Sequence, residues 1–163
     1  MTIRATICTL TVITGSVVSG CSTAQTRFGV HAGAENASET RTATFELPGR
    51  TVYYDPNPFI TEHHVAGFSR SRDANGNPAL SMELSDQGTE IMREWSGQNV
   101  GNYAVLTLEG EVLSAPVLIT PIGRRIQVTT GTDRDALWID SLEAVLQQAG
   151  ATETGSADLS LEQ

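Results

Sequence analysis

Lysine is absent from all 163 residues, and ten arginines face nineteen Asp and Glu for a net charge of −9. Affinity for phosphate backbones comes from clustered Lys and Arg, so this balance excludes nucleic-acid binding. It equally removes any polybasic attraction to anionic lipid. Cysteine is nearly missing too, with only Cys8 and Cys21. Long apolar runs are also lacking. The main one, Ala5 to Val18, is rich in Thr and shorter than the ~20 apolar residues that a spanning helix needs. The chain has no Gly-x-Ser-x-Gly elbow, phosphate loop or dinucleotide fingerprint, so the common hydrolase and nucleotide chemistries have no foothold. The residues imply no catalytic set, no metal site and no cofactor.

What the N-terminus does contain is a signal. Arg4 supplies a thin basic region, Ala5 to Val18 an apolar core of signal-peptide length, and Val18-Ser19-Gly20-Cys21 fits a lipobox. Small residues there let a signal peptidase reach the bond before a diacylated Cys21. Cleavage would remove Cys8 and Arg4, leaving nine arginines against nineteen carboxylates, net −10. Cys21, once acylated, cannot form a disulfide, so folding must rest on the core. Several acyl chains at ~0.8 kcal/mol per CH₂ anchor a protein stably. The expected location is the periplasmic side of the cell envelope. Ser22 in place of Asp favours the outer over the inner membrane.

The sequence divides into the signal 1–21, a flexible tether 22–43, a folded domain 44–150 and a disordered acidic tail 151–163. The tether is assigned from its Ser, Thr, Ala and Gly content, with too little apolar surface to offset chain entropy. Within the domain, Thr44 to Leu47 and Thr51 to Tyr54 flank Pro48-Gly49 as a hairpin, and the prolines of Tyr54 to Phe59 mark a loop. Val65 to Arg72 and Leu80 to Leu84 read as strands joined across Asn75-Gly76, the second alternating Leu80, Met82 and Leu84 with polar residues.

A helix from Asp86 to Gly97 carries Ile91, Met92 and Trp95 at helical spacing. Strands follow at Ala104 to Leu108, Val112 to Ile119 (interrupted by Pro116) and Ile126 to Thr130. A last helix starts at the caps Thr132 and Asp135, and Gly150 ends it. This order predicts an α+β fold, a mainly antiparallel sheet with two helices packed on one face.

Several polar clusters invite a chemical reading. Asp73-Ala-Asn-Gly-Asn77 opens like a calcium loop, but Pro78 and Leu84 stand where such a loop needs Gly and Glu, so a hairpin turn is expected. Glu62-His63-His64 lacks a third ligand and reads as a solvated strand edge, and His31, placed in the tether, is more isolated still. Glu109 and Glu111 flank a turn, where solvation is their ordinary fate. Arg124-Arg125 is a small basic spot at a turn. Trp95 and Trp138 fall on the inner faces of the helices, where core packing is the default.

One block carries a specific likeness. Tyr103 to Gly131 reads as an apolar strand (Val105 to Leu108), then Glu109-Gly110, a spacer, and Ser114-Ala115-Pro116. A second apolar strand (Val117 to Ile119) and an Ile-rich strand (Ile126 to Gly131) follow. In this order it resembles the periplasmic head region of SecD, of the SecD/SecF protein-export family. The likeness extends through Val65 to Gly88 upstream and Thr132 to Gly150 downstream, roughly half of the chain.

The resemblance implies the same α+β head fold and a non-catalytic module that contacts unfolded or exported polypeptide, or another envelope protein. It points to a groove between helix and sheet, at Met92, Trp95 and Trp138, or to an added strand beside Val112, Ser114, Ala115, Pro116 and Val117. Complete SecD also carries a base and membrane helices that couple export to the proton gradient. None is found in this chain, which is expected to bind rather than drive. A second expectation is a structural or inhibitory lipoprotein that docks on SecD/SecF.

Overall fold

The structure is a computed structural model that describes residues 26–129 and 137–154. The signal, Cys21, and the expected caps Thr132 and Asp135 lie outside the described residues. In chain order come β1 Phe28–Ala34, β2 Ala43–Leu47, β3 Arg50–Tyr54 and β4 Ile60–Thr61, then a 3₁₀ turn at Glu62–His64. β5 Val65–Arg72, β6 Pro78–Leu84, α1 Asp86–Gln98, β7 Tyr103–Leu108 and β8 Glu111–Ser114 follow. The chain closes with β9 Arg125–Thr129, α2 Leu137–Gln148 and β10 Thr152–Glu153.

The fold is α+β and mainly antiparallel, with the strands divided between two sheets. One runs β2-β3-β1-β7-β8, with β4 also paired to β1; the other runs β10-β5-β6-β9. Both helices lie against the second sheet, α1 touching β6 and α2 touching β5 and β10. Phe28 and Val30 of β1, Leu106 of β7, Phe68 of β5, Leu80 and Met82 of β6, Met92 of α1, and Leu142 and Leu146 of α2 meet in one buried cluster. The core is therefore shared by both sheets and both helices. At ~1.5–3 kcal/mol for each fully buried large apolar side chain, this cluster is the main source of stability.

Local chemistry explains the elements. Ser85 caps α1 by accepting the Gly88 amide N–H. Asp73 accepts from the amides of Asn75 and Asn77, both at 2.8 Å, which folds the expected hairpin turn. The Asn77 side chain, the largest influence, helps hold the Asp73 carboxyl below its usual range. Glu109 and Gly110 both have positive φ, 51° and 87°, the geometry of a two-residue I′ hairpin turn between β7 and β8.

Three boundaries differ from the sequence expectation. Residues 28–34, placed in the tether, form β1, a central strand paired with β7 from Phe28↔Leu108 to Gly33↔Tyr103. Its Gly, Ala and His content looks like a linker, yet Gly33 serves close packing. A Cβ there would lie 2.8 Å from Val105 Cγ2 and 3.1 Å from Val52 Cγ1, so only glycine lets those two side chains approach across the strand. At the other end, Ala151 is buried and β10 pairs in parallel with β5, so residues 151–154 belong to the domain and not to the tail. The strand expected over Val112 to Ile119 is shorter. It ends at Ser114 before Pro116, and pairing resumes only at a Tyr103↔Val117 bridge.

Candidate functional site

The described residues form an apolar groove of about 730 Å³. Its floor is Val30, Ala104 and Leu106 from the first sheet, with Met92 from α1. One wall is Leu113, Ser114, Ala115 and Pro116; the other is Arg125 through Thr129; Phe45 and Leu47 reach in from β2, and Ile122 from the loop before β9. This size and apolar character suit a binding cleft with a few polar groups for orientation. The loop wall is fixed to α1 by Ser96, fully buried, whose Oγ accepts the Ile122 amide at 2.8 Å.

Of the residues the sequence nominated, Met92, Ser114, Ala115 and Pro116 come together in this groove. Val112 instead packs against a second small cluster of Val52, Tyr103 and Val105 on the opposite face of the sheet. Val117 is exposed beyond the groove. Trp95 stacks on Phe59, ring centroids 4.4 Å apart, and Trp95 and Trp138 both border the main core. The β9 wall was not foreseen, although its alternating Ile126 and Val128 were visible as a strand; its nearness to β8 arises only when the two sheets fold together.

Arg124 and Arg125 part company. Arg124 is held by Glu83 at 2.7 Å and Asp86 at 3.0 Å, whereas Arg125 lines the groove and has no ion pair among the described residues. Among the described residues it is the only charged one of the lining. Glu109, weighed as an acid/base group with Glu111, pairs with Arg27. Among the described residues no cluster of metal-ligating side chains occurs.

The two histidine sites are structural, which corrects both sequence expectations. His31 is buried, not isolated in a tether. Its Nδ1–H donates to the Asp55 carbonyl at 2.8 Å and its Nε2 accepts from the Thr107 hydroxyl at 2.8 Å, with Tyr54 edge-on to the ring. Glu62-His63-His64 is a 3₁₀ turn and not a strand edge; Glu62 is buried, and His64 Nδ1 accepts the Thr61 amide at 3.0 Å. Burial is the largest influence on each ring and lowers the pKa of both His31 and His64 below 6.5.

In the unfolded chain both titrate near 6.5, so on acidification the unfolded state takes up protons first. Stability is expected to be full above about pH 6.5 and to fall as pH drops below it, through the lowered pKa values of the folded state. Denaturation midpoints at several pH values should show this slope, and a His31→Gln variant should flatten it. Parallel curves for the two proteins would rule out the His31 contribution.

The comparisons with known proteins converge. Residues 37–151 match the family described as SecDF, P1 head subdomain. The protein translocase subunit SecD of Dictyoglomus turgidum is 33% identical over 81 residues, 48% of this chain and 19% of that protein. SecD of Rhodobacter capsulatus is 26% identical over 110 residues, 68% of this chain and 20% of that protein. The chain therefore matches about one fifth of the length of these relatives. Among solved structures, a membrane component SecDF that enhances protein export superposes with a TM-score of 0.57 at 18% identity, covering 75% of this chain and 63% of that one. SecDF in its super-membrane-facing form superposes with a TM-score of 0.54 at 18% identity, over 77% of this chain and 19% of that one. At that identity the superpositions establish a shared fold. The matched family region takes in both helices and most of both sheets, and this chain belongs to the SecDF P1 head subdomain family.

Proposed function

We propose that the protein is a non-catalytic envelope module, anchored through acylated Cys21, whose head domain takes part in protein export by holding unfolded or exported polypeptide in the groove between β8 and β9. The observation that carries this reading is the groove itself. It is a family head domain's cleft of about 730 Å³ with an apolar floor and, among the described residues, one charged lining residue, suited to varied apolar side chains and not to one rigid metabolite.

The anchor would sit close to the fold. Only residues 22–27 separate Cys21 from β1, a span of about 20 Å when fully extended, so the head would work near its bilayer. Ser22 favours the outer membrane, with the domain on the periplasmic side.

Photo-crosslinking in cells tests both parts. A crosslinker at Ala115 or Ile126 is expected to trap secreted chains or envelope proteins, while one at Asn75, in the remote hairpin turn, traps none. Equal labelling from all three positions, or no trapped protein at all, would remove the groove from consideration. A Cys21→Ser variant is expected to leave the membrane fraction. Because the chain shares the head fold with SecD, crosslinks confined to SecD or SecF would instead support a structural or inhibitory role in which it docks on that apparatus.

A further inference from the structure

The lining of the groove has a feature that apolar character alone does not explain. Five consecutive residues of β9, Arg125 through Thr129, all border it. Successive side chains of a strand point to opposite faces, so an unbroken run can line one space only if that space lies along the strand's backbone edge. β9 is the last strand of its sheet among the described residues, with β6 on its other side. The facing wall repeats the pattern, since Leu113 through Pro116 line the groove consecutively, and β8 is likewise the end of its sheet, held to β7 on its inner side. The cleft thus runs along the β9 main-chain edge, which no other described strand pairs, over an apolar floor. Such an edge templates pairing with another chain.

We infer that the groove recognises its polypeptide by strand addition: an extended segment pairs with the free edge of β9, lays alternate apolar side chains on the half-buried Leu113 and Ile126, and sets an acidic side chain against Arg125. The inference rests on the polypeptide-binding reading and specifies its mode. Main-chain hydrogen bonds would supply affinity independent of sequence, and alternate pockets would supply selectivity. The charge preference follows from Arg125, which has no carboxylate partner among the described residues while Arg124 beside it has two. A fatty acid could match the apolar floor and the cation, but it would leave the β9 edge unpaired.

The test uses the full chain in detergent and a seven-residue peptide with apolar residues at alternate positions and one glutamate. Its partner is the ester analogue in which alternate amide N–H groups are replaced by oxygen. The peptide is expected to slow amide exchange at residues 125–129 and to bind at least tenfold more tightly than the analogue. Exchanging its glutamate for lysine should weaken binding about fivefold, and Arg125→Glu should reverse that order. Equal binding of peptide and analogue, without added protection on β9, overturns strand addition while leaving polypeptide binding intact. No binding of either overturns both, and a long-chain fatty acid that binds more tightly and displaces the peptide overturns the site's assignment to polypeptide.

Discussion

Phe28→Ala is expected to destabilise the domain by about 3–5 kcal/mol, the range for removing a fully buried aromatic side chain. The ring is 0% exposed and sits in the main core with Val30 and Leu106, on a strand that lies between β3 and β7. Truncation removes apolar burial and leaves a cavity that the surrounding strands can close only partly, because β1 is hydrogen-bonded on both sides. A domain of this size has a total stability of about 5–15 kcal/mol, so the variant should be close to unfolding at ambient temperature. The contrast with a linker is sharp. A residue in a solvated tether would change stability by less than about 0.5 kcal/mol. Urea denaturation of the two proteins decides the matter, and an unchanged midpoint would return residues 28–34 to the tether.

Residues 28–34 also show where the sequence stops being informative. FGVHAGA carries two glycines and two alanines, so small residues hide the pattern of a strand, and its strand identity depends on partners about 75 residues away in β7. The small residues are present because the strand is crowded: a Cβ at Gly29 would meet His31 Nε2 and Pro58 Cβ at 2.8 Å. Composition cannot distinguish small because mobile from small because close-packed. By contrast, β6 and α1 were legible, since Leu80, Met82 and Leu84 alternate at period two and Met92 follows the helical period, signals that need no distant partner.

The candidate site divides in the same way. Ser114-Ala115-Pro116 was picked out by its family likeness and Met92 by its periodicity, and these four converge on the groove. Trp95 and Trp138 drew notice as large aromatics near helix faces, but their rings border the core, where size is used for packing. Arg125 and the β9 edge could not be assigned to the same cleft because the meeting of two sheet ends is a property of the assembled fold.

Glu62→Ala is expected to cost about 2–4 kcal/mol, although the residue belongs to a Glu-His-His cluster that looks solvated in the sequence. Its carboxylate is buried and accepts the backbone N–H groups of Arg27 and Phe28, each at 3.1 Å, at the point where β1 begins. β4, directly before the 3₁₀ turn, pairs with β1 at Gly29↔Thr61 and Val30↔Ile60, which holds Glu62 at the end of that strand. Hydrogen bonds to a charged group are each worth about 1.5–3 kcal/mol, and a buried donor left without an acceptor carries a desolvation cost of about 1–3 kcal/mol. Ala removes both acceptors at once, whereas Gln keeps one oxygen and turns an N–H towards the second donor, so Glu62→Gln should recover less than half of the loss. Amide exchange at Phe28 should accelerate in both variants, and Glu111→Ala, at an exposed position, should leave stability within about 0.5 kcal/mol of the parent. If Glu62→Ala matches Glu111→Ala instead, the carboxylate does not hold β1 in place, and the strand's position depends on Phe28 and its pairing with β7 alone.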